Sequence, residues 1–308
     1  MNAGEEPKGP FYCSDYSRAN EEQLCGTAKP IDVWFLIEHR GKWERDAINS
    51  LSPAARAVVQ EVYSHYSRVR FGLIRQTGRT AGPLTGFLAL SRESDARLCR
   101  FEIDSLDDLP STPILRLLAE LRASEIEHRK QELFLVCTHG VHDRCCAKFG
   151  HALSETMTRI AGGAVWQVSH VGGCRFAPNV ICLPDGVVYG RLRELDCPSL
   201  ITSYAGGLIA CSHLRGRSCY PKPVQAAEYF LRTERRLERL DDLELTHSQE
   251  TSPRLWRIGF RQRQSRERYE IQLSSEEAAG TYKSCSAHTP LPRQRFQLYT
   301  VLALGSRE

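Results

Sequence analysis

Three cysteines and two histidines crowd into Cys137-Thr138-His139-Gly140-Val141-His142-Asp143-Arg144-Cys145-Cys146, and a second run, Ser169-His170-Val171-Gly172-Gly173-Cys174-Arg175-Phe176, adds one more of each. Soft thiolates together with imidazole favour zinc or an iron–sulfur cluster over calcium or magnesium. Two ligands from the first run and two from the second would complete a four-donor set. The twin glycines of the second run let a backbone bend tightly around a bulky ligand. Cys145 and Cys146 open a segment with helical periodicity, where unpaired amides and the helix dipole favour a thiolate. Adjacent cysteines rarely close a disulfide with good geometry, and the C-x-x-C pair of a thioredoxin is absent. Composition alone sets iron–sulfur and zinc side by side, with a thiol–disulfide site behind them.

Both runs hang on short apolar segments. Glu132–Val136 reads as a strand ending in Cys137, and Cys145–Ile160 as a helix stopped by Gly162-Gly163. Val165–Ser169 reads as a strand with His170 at its end. Asn179–Leu183 and Val187–Tyr189 flank Pro184-Asp185-Gly186 as a hairpin, and a helix is expected over Arg191–Ala210. The order β-α-β-β-β-α is a thioredoxin-like outline. Upstream, Val33–Glu38, Val69–Gln76, Leu84–Ser91 and Leu98–Ile103 read as strands, and Asp46–Ser64 and Ile114–Arg122 as helices. Downstream, Ala226–Leu245 reads as a helix whose mixed charges make a solvated face, and the remainder as a small β-rich terminus. The expected units are a polar leader over 1–30, an N-terminal α/β domain over 31–128, a thioredoxin-like domain over 129–225, and a helix plus β-rich extension over 226–308. No internal repeat is visible in the sequence.

A chain of 308 residues suggests two or three domains. With 41% hydrophobic and 25% charged residues it can bury a core, which excludes global disorder. Lys+Arg at 41 against Asp+Glu at 37 leaves a net charge of +4, too balanced for a protein that coats nucleic acid. No apolar run reaches the roughly 18 residues of a spanning helix, so no membrane partner is expected. The opening MNAGEEPKGP lacks the features of a secretory signal, so a cytoplasmic location is expected. In a reducing compartment, twelve cysteines point to metal, cluster or redox chemistry, with plain burial accounting for about half of them. Cys13 and Cys25 fit no zinc knuckle, and Cys285 is isolated near His288. Cys182 reads as core, and Cys197, Cys211 and Cys219 as structural. His139 and His142 read as solvent-facing loop histidines, with donation to a ligand sulfur as the alternative, and Asp143 as a helix N-cap. Arg144 and Arg175 read either as counter-charges or as surface ion pairs, and Arg215-Gly216-Arg217-Ser218 as a weak phosphate nest.

The segments CTHGVHDRCCAKFG, SHVGGCRFAPNVICLPDGVVYGRL and GTAKPIDVWFLIEHRGKW resemble the sucrase/ferredoxin-like family of thioredoxin-like [2Fe–2S] proteins, which includes the fungal actin-patch-distribution-type ferredoxins. The resemblance runs from about Tyr12 to Phe230 and is strongest over 133–192. It implies an α/β fold: a thioredoxin-like ferredoxin domain preceded by a second α/β domain, with a small β-rich C-terminal extension. In the fungal members two cysteines and the two histidines of an H-x-G-G-H loop hold the cluster. Carried over by position, Cys137 and Cys146 match the cysteines, His170 matches the first histidine, and Cys174 stands in place of the second. The implied set is Cys₃His, with Cys145 as substitute fourth ligand. Its potential should lie between plant-type ferredoxins and Rieske centres, roughly −400 to +300 mV. The implied function is a one-electron carrier rather than a stand-alone enzyme, served by a redox partner such as a flavin-dependent reductase, with a homodimer left open. Two alternatives use the same residues: a zinc-stabilised structural or interaction protein, and a thiol-dependent oxidoreductase with Cys145 or Cys146 as the reactive thiolate. No carboxylate pair marks a glycoside hydrolase.

Overall fold

A computed structural model describes residues 11–123 and 132–305. The first ten residues and the expected domain boundary at 128/129 lie outside the described residues. In chain order the elements are α1 (Cys13–Ala19), β1 (Val33–Glu38), α2 (Pro53–His65), β2 (Val69–Arg75), β3 (Leu84–Leu90), β4 (Arg97–Ile103) and α3 (Ile114–Ala123). They continue with β5 (Leu133–Cys137), α4 (Arg144–Ala161), β6 (Val165–Val168), β7 (Asn179–Leu183), β8 (Val187–Gly190), α5 (Cys197–Ala205), β9 (Leu214–Arg217) and α6 (Lys222–Arg235). The chain closes with β10 (Leu243–Ser252), β11 (Leu255–Gln262), β12 (Arg268–Thr281) and β13 (Leu291–Ala303). Among the described residues no helix is long and apolar enough to cross a membrane.

The fold is α/β. Nine strands form one sheet in the order β4-β3-β1-β2-β6-β5-β7-β8-β9, and the last four strands form a separate antiparallel sheet. Within the large sheet, β1 runs parallel to β2 and antiparallel to β3, which pairs antiparallel with β4. The second half repeats this plan: β5 is parallel to β6 and antiparallel to β7, which pairs antiparallel with β8. The two halves meet edge to edge where β2 pairs antiparallel with β6 through Ile74↔Val168 and Arg75↔Gln167. A repeat not visible in the sequence is therefore present in the topology, because unlike residues with the same hydrophobic alternation bury the same strand face.

That alternation also fixes the layers. Val33, Phe35 and Ile37 pack with Val59 and Val62 of α2 and Leu118 and Leu121 of α3. Phe134 and Val136 pack with Leu153 and Met157 of α4 and Leu200 of α5. The intervening residues Trp34, Leu36, Leu133, Leu135 and Cys137 turn the other way into one core shared by both halves. Helix α6 lays Val224, Ala227 and Leu231 against Ile258, Phe260, Ile271 and Leu273 of the C-terminal sheet.

Three helices differ from their sequence reading. The one expected over Asp46–Ser64 begins only at Pro53, behind the N-cap Ser52, and Ala47–Ser50 form a separate 3₁₀ turn. The one expected over 191–210 is confined to α5: β8 runs through Gly190, Pro198 lies in the helix's first turn, and Gly206 is its C-cap. The charged helix α6 ends at Arg235, and its polar residues are not all solvated. Gln225, Glu228 and Arg232 are buried, Arg232 donating to Glu228 Oε1 from Nε at 3.0 Å and Nη2 at 2.9 Å.

Candidate metal centre

The site forms beyond the carboxyl ends of the parallel strands β5 and β6, near the seam between the two halves. Strand β5 delivers Cys137 as its last residue, followed by a turn in which His142 and Asp143 donate their N–H groups to the His139 carbonyl at 3.2 and 3.0 Å. Asp143 then caps α4, its Oδ1 accepting the Cys145 N–H at 2.8 Å, which places Cys145 and Cys146 in the first turn. Strand β6 ends one residue before Ser169, whose N–H and Oγ are both fastened to Leu73 of β2, at 2.8 and 3.0 Å. His170 therefore leaves the sheet from a fixed point.

The loop after His170 bends through Gly172 (φ 96°) and Gly173 (φ 77°), a region where side chains are strained. Buried Arg215 and Asn179 hold this loop. Arg215 donates to the Gly172 carbonyl at 3.3 Å and to Asn179 Oδ1 at 2.8 Å, and Asn179 donates to the Gly173 carbonyl at 2.9 Å. Arg215 thus belongs to a strand and supports the loop, so the reading of 215–218 as a phosphate nest does not hold. Arg175 pairs with buried Glu22 at 2.7 Å, tying the loop to the N-terminal segment.

Cys137, Cys146 and His170 place one donor atom each within 4.8 Å of one another, as do His142, His170 and Cys174. His170 Nδ1 lies 3.3 Å from Cys174 Sγ. Cys137, Cys146 and Cys174 are buried, while His170 is half-buried with the His142 ring stacked on it at 3.5 Å. Cys145 faces elsewhere: its sulfur lies 3.6 Å from Cys13 and 3.2 Å from Cys285.

His139 is buried against Trp43 rather than solvent-facing. Its Nδ1 accepts the His170 N–H at 3.1 Å, so the neutral ring carries its proton on Nε2. Sequence reasoning missed this bracket, and the only hint was the position of His139 two residues past a strand end.

The thiols share protons unequally. Donation from Cys146, and then the His170 imidazole, hold Cys137 well below the usual thiol range although burial opposes this. The same two groups, Cys146 foremost, lower Cys174. Cys146 is pushed far up because it donates to Cys137 and Cys174. Burial alone would lower His170, but the two thiolates outweigh it and raise the ring to about 9. Electron-rich sulfur confined in a buried pocket calls for a cationic partner. The donor types and number fit a [2Fe–2S] cluster, which takes Cys or mixed Cys/His ligands. A cleft of about 640 Å³, lined by Arg45, Asp46, Tyr63, Arg70, His142 and His170, opens beside His170.

Helix α4 reaches the Cys137 strand end only because residue 150 has no side chain. A Cβ there would collide with the Cys137 carbonyl oxygen. Gly150→Ala should gain up to about 1 kcal/mol of helix propensity but lose about 1–3 kcal/mol to overpacking. The net expectation is a lower urea midpoint at unchanged m-value, and an equal or higher midpoint would refute the tight contact.

The sucrase/ferredoxin-like family model matches residues 24–216, more than half of the chain. A curated relative, altered inheritance of mitochondria protein 32 of the yeast Meyerozyma guilliermondii, is 30% identical over 111 residues. That match covers 31% of this chain and 39% of the relative, so the chain spans about two fifths of that protein's length. Among solved structures, the thioredoxin-like [2Fe–2S] ferredoxin of Aquifex aeolicus is similar at 17% identity and a TM-score of 0.27, covering 29% of this chain and 94% of that one. A cysteine-to-serine variant of that ferredoxin gives 18% identity and a TM-score of 0.25, covering 28% and 99%. The extent of the family match makes this chain a member of the sucrase/ferredoxin-like family.

Proposed function

We propose that this protein is a one-electron carrier that holds a single [2Fe–2S] cluster on Cys137, Cys146, His170 and Cys174. The observation that carries the reading is the convergence of these soft donors at the ends of β5 and β6, three of them buried and the fourth beside an open cleft. When bound, the cluster supplies reversible one-electron transfer. The chain's own residues do the rest. Leu73 and His139 fix where His170 leaves the sheet, and Arg215 with Asn179 fix the bend that presents Cys174. The buried sulfurs are shielded from solvent, while half-buried His170 offers an edge to a partner. A redox protein such as a flavin-dependent reductase would approach at the cleft, where Arg45 and Arg70 suit an acidic contact surface. Twelve unpaired cysteines suit a reducing, cytoplasmic setting.

Anaerobic purification followed by metal and acid-labile sulfide analysis tests the reading. Iron and sulfide should each approach two per chain, with a brown to red colour. Colourless protein carrying zinc and no sulfide would replace the electron carrier with a zinc-stabilised protein.

A further inference from the structure

Behind the cluster ligands lies a second group of donors drawn from the two ends of the chain and its middle. Cys13 comes from α1, Asp143 and Cys145 from the start of α4, and Cys285 from the connection between β12 and β13. All four are buried, at 0%, 3%, 0% and 9% exposure. Their donor atoms lie within 4.8 Å of one another. The sulfurs form a triangle with sides of 3.6 Å (Cys13–Cys145), 3.2 Å (Cys145–Cys285) and 3.7 Å (Cys13–Cys285). Asp143 Oδ1 stands 3.2 Å from the Cys285 sulfur and 3.9 Å from that of Cys13.

These distances have a simple interpretation. Ligands about 2.3 Å from a tetrahedral zinc stand about 3.8 Å apart, and a carboxylate oxygen about 2.0 Å from zinc stands about 3.5 Å from each sulfur. Sulfurs on different irons of a cluster stand farther apart than this triangle allows. Two of these groups, the Cys145 sulfur and the Asp143 carboxylate, already accept orienting hydrogen bonds. Ser14 aims its N–H and its hydroxyl at the Cys145 sulfur, at 3.4 and 3.2 Å. Asp143 is oriented by the N–H groups of Cys145 and Cys285, each at 2.8 Å. Orienting hydrogen bonds of this kind accompany metal ligands. Once the thiols give up their protons, three buried thiolates and a carboxylate require a cation among them.

We propose that Cys13, Cys145, Cys285 and Asp143 bind one zinc ion that staples the N-terminal segment and the C-terminal sheet to the first turn of α4, which carries Cys146. Binding releases the thiol protons to solvent and leaves three thiolates and one carboxylate on the dication. The site does not depend on the iron–sulfur reading, because it shares no ligand with it.

The test is zinc analysis and zinc-edge X-ray absorption on the full-length protein grown with zinc. One zinc per chain is expected, with three sulfurs at about 2.3 Å and one oxygen at about 2.0 Å. Cys13→Ser and Cys285→Ser, which lie outside the cluster set, should lower zinc content by more than about tenfold while leaving iron content and visible absorption in place. The unmutated protein gives an independent answer should a variant misfold. No bound zinc, a third iron in its place, or a nitrogen ligand in the zinc shell would overturn the proposal. So would zinc retained by both variants. Loss of iron alone would sink the electron-carrier reading and leave this one standing.

Discussion

Cys146→Ser is expected to abolish the visible absorption of the proposed cluster, and Cys145→Ser, one residue away, to keep it. Successive side chains on a helix diverge by about 100°. In the first turn of α4 that angle separates two environments. The Cys146 thiol shares its proton with Cys137 and Cys174, while the Cys145 sulfur faces Cys13, Ser14 and Cys285. A serine hydroxyl is a poor ligand for iron at neutral pH, so removing one buried thiolate from a four-donor set should release the cluster. Cys137→Ser should behave like Cys146→Ser. Iron content and absorbance after anaerobic purification provide the readout. A colourless Cys145 variant beside a coloured Cys146 variant would reverse the assignment.

The largest loss of stability is expected from Arg232→Ala. The Arg232 side chain is wholly buried and donates to Glu228 and to the carbonyls of Leu237, Arg239 and Leu240, at 3.1, 2.7 and 3.2 Å. It thereby closes the end of α6 onto the chain leading to the C-terminal sheet. Truncation leaves Glu228 buried with Arg217 at 3.8 Å and three carbonyls without their donor. Removing one partner of such a buried pair costs about 3–5 kcal/mol. Urea unfolding should therefore show Arg232→Ala well below wild type, and the double change Arg232→Met, Glu228→Leu should not recover the loss, because it leaves buried Arg217 without its carboxylate and the three carbonyls still without a donor. A single-variant cost under about 1 kcal/mol, the value of a surface pair, would contradict the buried network.

The strands around the site were legible because each is a short run of apolar, β-branched and aromatic residues. The spans expected for β1 and β7 coincide with those observed, and β5 starts one residue later. The start of α4 was legible because Asp143 is an N-cap followed by helical periodicity. What sequence could not convey was distance in space. Cys13 and Cys285 are 272 positions apart and lie 3.7 Å apart, so no spacing rule unites them. Arg215 misled for a related reason: a basic residue beside glycine reads as a phosphate contact until its strand carries it under the Gly172-Gly173 turn. Glu228 and Arg232 look like an ordinary surface pair at i,i+4, and only the sheet packed over α6 buries them.

Glu38 ends the first strand of its half as Cys137 ends the first strand of the other, and the antiparallel seam sends these two ends to opposite rims of the sheet. At one rim the buried carboxylate is already answered by Arg40 at 2.7 Å, Arg79 at 3.1 Å and the Thr85 N–H at 3.0 Å. At the other, thiols and imidazoles gather beside a cleft lined by Arg45 and Arg70. The half built on β1 is thus no spectator: its Arg45 and Arg70 line the cleft, and its Leu73 holds Ser169 at the base of His170. Loosening the β2–β6 seam would displace the donors along with the sheet.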